Sequence, residues 1–128
     1  MTQTKKIMIV DDEADIRDAL SYFFQSQGYE TIECHDGLDA WEYLNQQKPS
    51  PGIILLDLSM PRMNGHQFIE RLNNHQEMKK IPVIVVSALA DSLKEKSVIA
   101  ALKKPFNLEQ LNKLISTHIS IDSYKEMV

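Results

Sequence analysis

Five short runs of the chain limit its fold more than any other feature. Ile7–Val10, Thr31–Cys34, Ile53–Leu56, Val83–Val86 and the weaker Ile99–Leu102 are rich in β-branched and aliphatic residues. Strands with one wet face alternate apolar and polar residues, whereas strands covered on both faces need not, as in a parallel sheet. Helical spacing fills the gaps. Ile16, Ala19, Leu20, Phe23 and Phe24 define one helix face, and Gly28 follows as a stop. Leu38, Trp41 and Leu44 predict a second helix, closed by the KPSPG loop at 48–52. Phe68, Ile69 and Leu72 predict a third after Gly65, and Leu108, Leu111, Leu114 and Ile115 the last, with Asn107 as N-cap and Gln110 at N3. This alternation predicts an α/β fold, a doubly wound five-stranded sheet with helices on both faces.

At 128 residues the chain suits one domain with a real core. The expected boundaries are residues 1–120 for the domain and 121–128 for a C-terminal tail, a free-standing protein without an effector domain. The net charge of −4 gives no basic face for nucleic acid. Cys34 is alone, so no intramolecular disulfide can form. No run approaches the ~18 apolar residues of a membrane span, and MTQTKK leads into no secretory signal. The expectation is a soluble cytoplasmic protein.

The strand ends carry the chemistry. The first run ends in Asp11-Asp12-Glu13, the third in Asp57, the fourth in Ser87 and the fifth in Lys103-Lys104-Pro105. Doubly wound sheets bind ligands beyond the carboxyl ends of their strands. Clustered carboxylates repel one another, and a hard divalent cation relieves this; Mg²⁺ suits such a set because it accepts one or two carboxylates and completes its shell with water and phosphate oxygens. Asp57 could then attack phosphorus to give an aspartyl phosphate, with Lys104 and Ser87 stabilising the phosphoryl oxygens. Singly, each residue has a blander reading: Asp12 as N-cap of the first helix with Asp15 at N3, Asp57 as a turn residue, Ser87 as a satisfied hydroxyl, Lys104 as a solvated lysine.

With "IMIVDDE" (7–13), "ILLDLSMPRMNG" (54–65), "IPVIVVSA" (81–88) and "KKPF" (103–106), the chain resembles the receiver domains of bacterial two-component response regulators, over roughly Lys5 to Ile119. The resemblance implies the flavodoxin-like receiver fold with strand order 2-1-3-4-5, and Asp57 as phosphoacceptor. Asp12 would bind Mg²⁺ directly, Asp11 through water, and Ser59 through its backbone carbonyl. Ser87 and Lys104 would contact the phosphoryl group, Ala88 would leave the site open, Gly65 would shape the loop after the third strand, and Lys104–Pro105 would be cis. Implied partners are a histidine kinase or histidine phosphotransfer protein and a downstream protein target, in a monomer or weak homodimer. Such a protein is a signalling phosphoacceptor that catalyses only its own phosphorylation and dephosphorylation.

Two features depart from the family pattern. Ala101 stands where receivers usually carry a Tyr or Phe rotor. "ALADSLKEKSVIAALK" is also short, which leaves the fourth helix about two turns near Asp91–Ser97 and predicts it short or mobile. Both changes fall on a face that many receivers use for output, so output is expected through the loop after Ser87 or the face around the first helix. The bland alternative is a deletion with little effect.

Other classes fit less well. A haloacid-dehalogenase-type phosphohydrolase needs a second Asp at position 59, which is Ser; a flavin carrier needs a phosphate-binding loop where this chain has DDE. A degenerate receiver that only dimerises would not need the whole site set. His35, His66, His75 and His118 show no metal-ligand spacing, and the four glycines form no Walker-type loop. Trp41 is expected in or beside the core, and Lys79-Lys80 in a solvated loop.

Overall fold

A computed structural model describes residues 6–46, 49–88 and 97–119. Along the chain these form β1 (Lys6–Val10), α1 (Ala14–Ser26), β2 (Glu30–Cys34), α2 (Gly37–Leu44), β3 (Ile53–Leu56), α3 (Gly65–Asn73), a 3₁₀ turn (Met78–Lys80), β4 (Val83–Ser87), β5 (Val98–Lys103) and α4 (Leu108–His118). The five strands are parallel in the order β2-β1-β3-β4-β5. The short helix expected near Asp91–Ser97 falls mostly outside the described residues; Ser97 itself is a buried turn residue.

Successive residues of a strand point to opposite faces, and here they feed two cores. Met8, Val10, Ile54 and Leu56 pack with Phe68, Ile69 and Leu72 of α3 and Ala40 and Leu44 of α2. Ile7, Ile9, Ile53 and Leu55 pack with Leu20 and Phe24 of α1 and Leu111 and Ile115 of α4. Each fully buried aliphatic side chain contributes roughly 1.5–3 kcal/mol, so the sheet centre dominates stability. The expectation of cover on both faces holds for β3 and β4 throughout and for β1 beyond its first residue, but not for β2 and β5. Those two are the edges, with a neighbouring strand on one side only, and they keep half-exposed positions. Ala101 is one of them, opposite Val85 and packed against the α2–α3 core.

Caps set the helix starts. Asp36 accepts from the Asp39 amide at 2.8 Å, Asn107 from the Gln110 amide at 3.0 Å, and Asn64 and Gln67 form a reciprocal capping box. At α1 the blander reading of Asp12 as a cap does not hold. The N-cap of that helix is Glu13, which makes no side-chain cap, so Asp12 and Asp15 form no box. Asp11 Oδ1 instead accepts from the Glu13 amide at 2.8 Å, closing a local turn that leaves Asp12 exposed. Gly28, at φ 100°, ends α1 as expected.

Lys79 and Lys80 are solvent-exposed but lie in the 3₁₀ turn rather than an irregular loop. Trp41 is half-buried on α2, with the Arg71 guanidinium 5.6 Å from its ring centroid and His75 edge-on. Among the described residues no helix is long and apolar enough to cross a membrane.

Candidate functional site

Parallel pairing places the carboxyl ends of β1, β3, β4 and β5 along one rim of the sheet. Asp57 follows β3, its amide donating to the Val10 carbonyl at 2.9 Å, and Asp11 follows β1, its amide donating to Cys34 at 3.1 Å. Lys104 follows β5 and donates its amide to Ser87 at the end of β4 at 3.1 Å. Backbone hydrogen bonds thus seat each of these three residues. The Lys104–Pro105 bond is cis, as the resemblance implied.

The side chains converge. Asp11, Asp12 and Asp57 each offer a carboxylate oxygen within 4.8 Å of the others. Lys104 Nζ lies 3.0 Å from Asp11, 3.5 Å from Glu13 and 3.8 Å from Asp57. A cleft of about 400 Å³ is lined by Asp12, Glu13, Asp57, Ser59, Ser87, Ala88 and Lys104. The Ser59 amide donates to Asp57 Oδ1 at 3.3 Å, and the Ser87 hydroxyl also hydrogen-bonds to Asp57. Of the residues singled out at the strand ends, Asp12, Glu13, Asp57, Ser87 and Lys104 line one cleft, and Asp11 meets it through Lys104 and the carboxylate group. Asp11 is buried against Lys104, and Asp12 is an exposed part of the lining.

Burial pushes the Asp57 carboxyl above the usual carboxylate range, and the Asp11 charge adds to this. Lys104, the Ser59 amide and the Ser87 hydroxyl pull the other way without cancelling it. Lys104 shows the complement: burial lowers its ammonium, but Asp11, Asp57 and Glu13 outweigh burial and hold it above its ordinary value. Two opposed charges share a pocket that holds more carboxylates than cations. Hard oxygen donors in this excess fit Mg²⁺, with Asp11, Asp12 and Asp57 as the residues that would hold it.

The loop after β3 needs close packing. A Cβ on Gly65 would lie 2.6 Å from Leu58 Cα and 2.7 Å from the Asp57 carbonyl oxygen, so only glycine lets α3 start against the strand end. Arg17, Arg62 and Asp36, near the site, gave no usable signal in the sequence. Arg17 Nη1 donates to the Asp11 carbonyl at 2.8 Å while its Nε donates to Glu33 at 3.2 Å, tying α1 and β2 to the acidic turn. Arg62, at φ 61°, makes a two-point pair with Asp36. An arginine on a helix or in a loop offers no pattern that names its partner. Among the described residues the histidines join no metal-ligand group.

This fold with this acidic cleft defines a class. The chain belongs to the response regulator receiver domain family, whose model matches residues 7–116. Sporulation initiation phosphotransferase F of Bacillus subtilis is 27% identical over 122 residues, covering 93% of this chain and 97% of that protein. The response regulator GtcR of Aneurinibacillus migulanus is 41% identical over 85 residues; the match covers 66% of this chain and 33% of that longer protein. The crystallised chemotaxis protein CheY4 of Vibrio cholerae superposes with a TM-score of 0.79 at 28% identity, covering 91% of this chain and all of that one, 100%.

Proposed function

We propose that the chain is a phosphorylation-controlled signalling module in which Asp57 accepts a phosphoryl group from a histidine kinase or a histidine phosphotransfer protein. The observation that carries this reading is the convergence of Asp11, Asp12 and Asp57 with Lys104 3.8 Å from Asp57. In the transfer, a carboxylate oxygen of Asp57 forms a bond to phosphorus as the bond from phosphorus to the donor nitrogen breaks, and the donor imidazole leaves with its electron pair. Water later attacks the acyl phosphate and returns the carboxylate and inorganic phosphate.

Lys104 would exchange its contacts with Asp11 and Glu13 for the phosphoryl oxygens, and the Ser87 hydroxyl would donate to one of them. Asp11, Asp12, Asp57 and the Ser59 carbonyl would hold Mg²⁺, which would supply positive charge against the phosphoryl oxygens. The chain's own catalysis is confined to gaining and losing this group.

The receiver unit in this reading is residues 1–120, with 121–128 as a tail, acting in the cytoplasm of a bacterium as a monomer or weak homodimer. Output is a change in protein binding or onward transfer of the phosphoryl group, through a two-state shift. With Ala101 in place of an aromatic rotor, the shift runs through the loop after Ser87 or the α1 face.

The test is intact mass after incubation with Mg²⁺ and acetyl phosphate, beside Asp57→Asn. A gain of one phosphoryl group that needs Mg²⁺ and is absent in the variant supports the reading. No gain, together with no binding of beryllofluoride and Mg²⁺, overturns it in favour of a degenerate receiver that serves only as a binding module.

A further inference from the structure

Asp36, after β2, is as buried as any charged group outside the cleft, at 1% exposure. It faces Arg62, on the loop between β3 and α3. Arg62 Nε donates to Asp36 Oδ2 at 2.6 Å and Nη2 to Oδ1 at 3.1 Å, a fork-to-carboxylate pair that fixes orientation as well as distance. The same Asp36 caps α2, so the arginine is joined to a rigid element. One residue on, the Gly37 amide donates to the Met63 carbonyl at 3.0 Å, and a Cβ at Gly37 would clash with that oxygen. At its base the loop is closed by the Gly65 amide on the Leu58 carbonyl at 2.9 Å. Residues 58–64 are thus held at the base and again at their outer turn, against the start of α2.

That loop carries Ser59, which lines the cleft and donates its amide to Asp57. Arg62 reaches Asp36 from φ 61°, a conformation uncommon for a long side chain and natural for glycine. If position 62 served only the turn, glycine would serve it better.

We propose that Arg62 is a positioning residue for the cation site: through Asp36 it fixes the 58–64 loop, and so the presentation of Ser59 and Asp57 to a divalent cation. This rests on the Mg²⁺ reading of the acidic cleft. Arg62 is not among the residues that line the cleft.

The experiment is Mg²⁺ titration of the unphosphorylated chain, followed by calorimetry and amide NMR, for the native protein, Arg62→Gly, Arg62→Lys and Asp36→Asn. The expected result is an Mg²⁺ dissociation constant about ten-fold higher for Arg62→Gly, in the range seen when outer supports of metal ligands are removed. Arg62→Lys should recover part of the affinity, since it restores the charge without the fork. Asp36→Asn keeps the helix cap and should weaken Mg²⁺ as Arg62→Gly does. Thermal melting separates positioning from fold, because glycine suits φ 61° and the Arg62→Gly fold should survive. If that variant did not fold, Arg62→Lys and Asp36→Asn would carry the comparison.

Equal Mg²⁺ affinity in native and variant chains would overturn the inference and leave the pair a purely structural clasp. Failure of the native chain to bind Mg²⁺ would overturn the cleft reading itself, and the inference with it.

Discussion

The ends of β2 and β3 each present a buried aspartate, and the two behave in opposite ways. Asp36 and Asp57 are 1% and 5% exposed. Burial pushes both carboxyls upward, as it must for any charge leaving water. At Asp36, hydrogen bonds from Arg62 and the Asp39 amide win, helped by the Arg62 and His35 charges, and hold the group below the ordinary carboxylate range. At Asp57 the nearest ammonium is 3.8 Å away and shared with two other carboxylates, and burial wins. Matching burial therefore says little about role. A satisfied carboxylate holds structure together, and an under-compensated one is left able to react.

The largest effect expected from breaking this contrast is at the satisfied end. Asp36→Ala removes an N-cap and the partner of Arg62 together, and should cost about 2 kcal/mol in urea unfolding, with an unchanged dependence on urea. Asp57→Asn should do the reverse, stabilising the fold by on the order of 1 kcal/mol at neutral pH by removing a poorly compensated buried charge. A destabilised Asp57→Asn would show that Lys104 compensates Asp57 fully.

Stability against pH sharpens the contrast further. The Asp57 pKa is raised on folding, so its ionisation costs stability as pH rises through that raised value. The advantage of Asp57→Asn should fade as pH falls and vanish below the ordinary carboxylate pKa of about 3.9. The Asp36 pKa is lowered on folding, so its contribution is present above about 3.9 and is lost as pH falls through its folded value. The penalty of Asp36→Asn should likewise disappear in acid, leaving two difference curves of opposite sign.

The smallest effect concerns Cys34, two residues before Asp36. Burial, with a smaller push from Asp39, raises its thiol to about 12. Iodoacetamide at pH 8 should leave it unmodified in the native fold and label it readily in urea, where a normal thiol returns.

The α/β alternation was legible because buried strands and amphipathic helices leave periodic marks, and the site because its residues sit where strands stop. The edge character of β2 was legible only through the resemblance, which implied the order 2-1-3-4-5, and not in the run itself: Thr31–Cys34 is short, and burial depends on which strands lie beside it. The start of α1 was left open for a similar reason. Asp12 and Asp15 match a capping pattern in sequence, but Asp11 takes the turn through its own side chain and leaves Asp12 free. Arg17, Arg62 and Asp36 lay beyond reach because their roles depend on loop geometry that brings distant segments together.

The acidic cleft draws its residues from the ends of β1, β3, β4 and β5, segments far apart in the chain and brought together by the sheet. No unfolded or half-paired chain can present it. An ion captured there therefore reports on cooperativity: its binding free energy is added to the native state as a whole. Raising Mg²⁺ should shift the melting of β2 amides, which never meet the ion, by the same amount as those of β3.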